Sequence, residues 1–266
     1  MDKLKAKLKE LFEAGEITLA IGYKQGTRGP RPFFCRTSED VEQMIFSNDY
    51  QPNLAVYLSK KEVVKDEKVA IVCTISALRS IAYLARENQI GQSQYKIIHL
   101  SPNDELMIFR SPWDIDPYIE EIPSTPSDDD RRVIEMLDAM TPSERWVWWA
   151  AQFSKCIKCY ACRAACPMCY CTRCIVDNNR PQWIDPWASP LSNMEWQINR
   201  VMHLAGRCVG CGACGAACPE GIPVHLLNRK ILDNIQENFG ITPGVAPREG
   251  AVLNTYKPED KENFIK

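Results

Sequence analysis

Eight cysteines at a repeated spacing constrain this chain more than any other feature. The first run is Cys156-Ile-Lys-Cys159-Tyr-Ala-Cys162-Arg-Ala-Ala-Cys166-Pro167, and the second is Cys208-Val-Gly-Cys211-Gly-Ala-Cys214-Gly-Ala-Ala-Cys218-Pro219. Both follow C-x2-C-x2-C-x3-C-P without a departure. At this spacing three thiolates of one loop grip three irons of a [4Fe-4S] cubane, and the fourth cysteine ligates the other cluster. The reading assigns Cys156, Cys159, Cys162 and Cys218 to one cluster, and Cys208, Cys211, Cys214 and Cys166 to a second. Zinc usually takes two C-x2-C pairs rather than four cysteines in a row at this spacing. Pro167 and Pro219 turn the chain away from the shared centre. Gly210, Gly212 and Gly215 let backbone N–H groups approach the cluster sulfurs, which raises the potential. The same residues spell GxGxxG, but no strand precedes them, so a dinucleotide site is not expected.

The chain has 266 residues and 13 cysteines, and eleven of these lie between Cys156 and Cys218. No apolar run approaches the roughly 18–20 residues of a membrane span, and the N-terminus has no apolar signal core. A cytoplasmic location is expected, and there clustered cysteines read as metal ligands rather than disulfides. Net charge is −2 with no polybasic block. Nucleic acid and anionic membrane surfaces are therefore poor candidate partners.

The fold class expected is α+β, a small N-terminal α/β segment followed by an α-helical two-cluster domain. Residues 1–100 form the α/β segment. Met1–Ala14 reads as an amphipathic helix, and Ile17–Tyr23, Lys68–Thr74 and Tyr95–Leu100 as buried strands. Ser38–Phe46 and Ser76–Asn88 read as helices, the first opened by Ser38 with two acids behind it. Residues 101–130 are proline-rich and read as a linker or extended strap. Residues 131–240 are helical again, with Thr141-Pro142-Ser143-Glu144 opening a helix into the first run, Asn193–Ala205 leading into the second, and Ile222–Asn238 following it. Residues 241–266 read as a polar arm.

Cys169, Cys171 and Cys174 follow the first run directly. Three thiols so close suggest a third [4Fe-4S] cluster or a zinc site that needs one more ligand. Only Cys35 and Cys73 remain to supply it. Cys73 is the favoured choice, because it ends an apolar strand before a helix whose N-terminus favours a thiolate.

The helices around the runs, and the 42-position gap from Cys166 to Cys208, resemble the α-helical ferredoxin modules of heterodisulfide reductase and succinate dehydrogenase. The stretch Cys159 to Cys174 also resembles the β subunits of deazaflavin-linked formate dehydrogenases and hydrogenases. The segment from Cys35 to Phe46, Asn53–Leu58, and Lys68–Arg79 are similar to their opening part, although Ala70-Ile71-Val72 stands where that family carries Gly-Thr-Pro. Family members continue into a large flavin domain, but only 47 residues follow Pro219 here. The resemblance thus implies the electron-wire half of such a subunit. It serves other redox subunits of an anaerobic oxidoreductase complex, and no catalytic residues are assigned. A flavin-containing subunit and a redox sensor are the alternative readings. Trp146, Trp148 and Trp149 are expected to pack against the cluster loops. His203 and His225 are expected as polar helix residues rather than ligands.

Overall fold

A computed structural model describes residues 1–64, 66–91, 95–177, 181–242 and 244–246. Helix α1 (Asp2–Glu13) buries Leu4, Leu8 and Leu11, one stripe at helical spacing. The chain then forms β1 (Leu19–Gly26), β2 (Gly29–Cys35), a short α2 (Lys61–Val64), β3 (Val69–Cys73), α3 (Ile75–Arg86), β4 (Tyr95–Leu100) and β5 (Leu106–Phe109). The sheet order is β2-β1-β3-β4-β5. The central strands β1, β3 and β4 run parallel, and the edge strands β2 and β5 are antiparallel to their neighbours.

Both edge strands lie outside the strands read from sequence. Strand β2 carries Pro30 and Pro32, residues that argue against a strand in general but are tolerated at an edge. Strand β5 lies inside the proline-rich stretch read as a strap. That stretch also carries α4 (Asp116–Glu120), which packs on α3. Ser38–Phe46 is not a helix; only a 3-10 turn forms over Asp40–Gln43. The reason is pairing with β1: the Ile45 N–H donates to the Tyr23 carbonyl at 2.9 Å, which requires extended backbone there.

Strand periodicity sorts the two faces of the sheet. Ala70 and Val72 face α1, in a core with Cys35 from β2. Val69, Ile71 and Cys73 face the other way, into a core shared with α3 and with Cys166, Cys169 and Cys208 of the cysteine region. The α/β half is therefore joined to the helical half through the second face.

The helical half contains α5 (Asp128–Ala139), α6 (Pro142–Ser154), α7 (Ala161–Ala164), α8 (Pro190–Leu204), α9 (Ala213–Ala216) and α10 (Val224–Phe239). Thr141 and Glu144 form a capping box at the start of α6, with Pro142 at its first turn. Twice the chain runs long helix, cysteine loop, one-turn helix: α6 to α7, and α8 to α9. The fold is α+β, and no described helix is long and apolar enough to cross a membrane. Of the expected C-terminal arm, Ile241 is buried and the Gly244 carbonyl accepts from Arg86 at 2.6 Å; residues 247–266 lie outside the described residues.

Candidate metal centre

The two cysteine loops have the same backbone path. Lys158 and Tyr160 in the first have φ of 53° and 57°; Gly210 and Gly212 in the second have 71° and 72°. In each loop the N–H two residues after the first cysteine points at its sulfur, Lys158 to Cys156 Sγ and Gly210 to Cys208 Sγ, both at 3.4 Å. A left-handed conformation is free of strain for glycine but costs about 1–2 kcal/mol for other residues. The shared path is thus imposed on the first loop and natural to the second.

Two cavities lie at the ends of these loops. One is lined by Cys156, Cys159, Cys162 and, from the other run, Cys218. The second is lined by Cys208, Cys211, Cys214 and, from the other run, Cys166. Each carries four thiols, the donor set of a cubane. Burial raises the Cys162 thiol to about 11 and Cys211 to about 12. Burial also pushes Cys208 and Cys214 up. Metal binding to such protonated thiols must release protons.

Amide side chains approach the sulfurs from the helices. Gln197 of α8 donates to Cys156 Sγ at 3.9 Å, and Asn228 of α10 to Cys214 Sγ at 3.7 Å. Asn193 ties the first loop down through the carbonyls of Phe153 and Cys156, at 3.0 and 2.8 Å. Lys158 is buried and donates to the Asp185 carbonyl and to Ser192 Oγ. His225 lines the second cavity and meets Asp130 at 2.8 Å. Sequence reasoning passed over Gln197, Asn228 and Arg200; their one signal was polarity at buried positions of α8 and α10.

Arg200 stands apart. It is only 3% exposed, on α8. Its Nη2 donates to the Cys162 carbonyl at 3.1 Å, and it lines the second cavity. Its Nε and Nη1 are buried without a hydrogen-bond partner. Burial alone would lower its pKa, but the thiols of Cys214, Cys166, Cys162 and Cys169 hold it up.

The third cysteine group is spread out. Cys169 packs toward the sheet with the core that contains Cys73. A hydrogen bond from Cys166 pulls the Cys169 thiol below its usual value. Cys171 is exposed. Cys174 packs with the helical core, and its N–H donates to Asp177 at 3.0 Å. Among the described residues no three Cys, His, Asp or Glu side chains close round a single ion. Cys73 is fully buried on the sheet face toward the runs, whereas Cys35 is on the opposite face. Of the three tryptophans, Trp149 stacks on Phe153 at 5.2 Å and supports the first loop. Trp146, expected to do the same, is 59% exposed.

Residues 152–222 match the 4Fe-4S dicluster domain family. This is an iron–sulfur chain. Over 97 residues it is 32% identical to the F420-dependent formate dehydrogenase subunit beta of Methanocaldococcus jannaschii, covering 36% of this chain and 25% of that protein. It is 38% identical over 97 residues to the F420-dependent formate dehydrogenase 1 subunit beta of Methanococcus maripaludis, covering 36% and 24%. The chain matches about a quarter of the length of these curated relatives. It is similar to the iron–sulfur part of such β subunits, as the cysteine pattern implied.

Proposed function

We propose that this chain is an electron-transfer subunit, cytoplasmic, that relays electrons between redox partners of a formate dehydrogenase-, hydrogenase- or heterodisulfide reductase-like complex. One observation carries the reading: each cavity is lined by three cysteines of one run and the fourth cysteine of the other. When bound, two [4Fe-4S] clusters supply reversible one-electron storage. The residues do the rest. Four thiolates fill each cubane, so no iron is open to substrate. The exposed Cys159 brings the first site to the surface, where a partner can dock. The second site, none of whose cysteines is exposed, lies against the α/β half, with Gln51 near Gly212.

A third metal site belongs to the same proposal, with Cys169, Cys171, Cys174 and Cys73 as ligands to a cubane or to zinc. The shared packing of Cys73 and Cys169 supports it. Metal analysis of anaerobically prepared protein tests both parts. About eight irons per chain with cubane EPR signals on reduction supports the relay. About twelve irons, or eight with one zinc, supports the third site, and eight irons alone removes it. Protein that takes up no cubane under reconstitution overturns the whole reading.

A further inference from the structure

A buried cation is costly unless something anionic compensates it, and the effective penalty is several kcal/mol per ion. Arg200 is such a cation, and its partners among the described residues are the carbonyl of Cys162 and the thiols of Cys169 and Cys214, with no carboxylate beside it. Its two remaining buried donors, Nε and Nη1, have no acceptor. Three other cations near the runs are committed elsewhere. Lys158 is held by Asp185 and Ser192, and Arg229 by Asp233 at 2.7 Å and Ser124 at 3.2 Å. Arg163 pairs with Asp177 through two bonds, at 3.1 and 2.9 Å.

The position of Arg200 explains what compensates it. The guanidinium touches the backbone of Cys162, a lining residue of the first cavity, and itself lines the second. Resting on the two-cubane reading above, we propose that Arg200 is the shared counter-ion of both metal sites and sets both reduction potentials. A cubane with four thiolates is a net anion, and each electron it takes up adds negative charge. A fixed positive charge in a low-dielectric site favours the reduced form more than the oxidised one. One guanidinium placed between two such anions raises both potentials together. Arg200 is thus a positioning residue for charge rather than a ligand.

The experiment uses the full chain, loaded anaerobically, with Arg200→Gln and Arg200→Lys beside the wild type. Iron content is measured first, and midpoints are then taken by EPR-monitored redox titration. Arg200→Gln is expected to keep its iron and to lose at least tenfold in the one-electron reduction equilibrium of each cluster, about 59 mV. Arg200→Lys, which keeps the charge, is expected to recover at least half of that loss. Unchanged midpoints in Arg200→Gln overturn the proposal, and so does an Arg200→Lys shift as large as the Gln shift. If Arg200→Gln fails to hold iron, Arg200→Lys decides. Wild-type iron and near-wild-type midpoints in the Lys variant support the charge role; loss of iron or shifted midpoints there makes Arg200 a packing residue and sinks the proposal. A wild-type chain that holds no cubane is a separate failure: it refutes the two-cluster reading on which Arg200's role rests.

Discussion

The two cysteine loops follow one backbone path in two different settings. The second loop is glycine-rich, and its Cys208 packs against the core of the α/β half. The first loop carries Lys158, Tyr160 and Arg163 where the second has Gly210, Gly212 and Gly215. Its Cys159 is exposed, and Ile157 beside it is 56% exposed. The difference teaches where each loop draws its order. The second takes the path because glycine allows it and neighbours enclose it. The first takes it because its side chains hold it there: Lys158 on Asp185 and Ser192, Tyr160 edge-on to Trp196 at 5.2 Å, Arg163 on Asp177. In a relay, the enclosed loop suits an inner site and the exposed loop a docking site.

Metal removal is expected to have the largest effect. Because each cavity is lined by one cysteine of the other run, neither loop should persist alone. A helical half held together around eight thiols loses the folding free energy that metal binding supplies. Chelation should abolish cooperative melting of residues 131–240, while residues 1–100, with their own sheet and core, persist. Hydrogen exchange read segment by segment checks this, and equal protection with and without iron contradicts it.

Exchange of the fourth ligands comes next. Cys218→Ala should remove the cluster held by the first run and Cys166→Ala that held by the second, each losing about four irons per chain relative to the parent. Mössbauer and EPR spectra identify which cluster survives. A Cys218→Ala protein that keeps the first-run cluster and loses the second would show that each run ligates only its own metal.

How much of this was legible in the sequence depends on what the residues repeat. The eight cysteines, the capping box at Thr141 and the three parallel strands announce themselves by spacing, caps or β-branched runs. Strand β2 did not, because Pro30 and Pro32 are permitted there only by the edge position, which is a property of the sheet and not of the segment. The Ser38 segment has a good helix start, but its fate was decided by the pairing of Ile45 with Tyr23 across the sheet. Arg200 is one arginine among many in sequence, and only the fold shows that it is buried between both runs. The first loop's strained φ values were hidden for the same reason: nothing in Lys158 or Tyr160 announces a left-handed residue until the matching glycines are laid over them.

At the glycine positions the comparison can be turned into stability. A Cβ at Gly215 would come within 2.0 Å of His225 Nδ1. Gly215→Ala must displace that ring and its pairing with Asp130, at an overpacking cost of about 1–3 kcal/mol. At the matching place in the first loop, Arg163→Ala removes a partly exposed ion pair worth roughly 0–1 kcal/mol. The anaerobic melting midpoint of the loaded protein should therefore fall further for the glycine. Lys158→Gly relieves about 1–2 kcal/mol of backbone strain. It also deletes two hydrogen bonds from a charged group, each worth about 1.5–3 kcal/mol. The net effect should be destabilising, and a stabilised variant would mean that the lysine does not anchor the loop.

Tyr160→Gly is the finest test, because the opposing terms are close to equal. The substitution removes the left-handed strain of a residue at φ 57°, again about 1–2 kcal/mol. It loses an edge-to-face contact with Trp196, about 0.5–1.5 kcal/mol beyond area. Tyr160 is half-buried, so its lost apolar burial is a fraction of the roughly 1.5–3 kcal/mol that a fully buried large side chain brings. Glycine costs about 0.5–1 kcal/mol more, because it frees the unfolded backbone. These sum to a net loss of roughly 1 kcal/mol, of the same order as the loss expected when the same position in the second loop is changed in reverse. There, Gly212→Tyr imposes the strain without the ring's partner, since a Cβ at Gly212 meets only Gln51 at 3.9 Å. A loss in Tyr160→Gly well beyond about 2 kcal/mol would show that the tyrosine ring and not the backbone path dominates the first loop, and would end the equivalence drawn between the two.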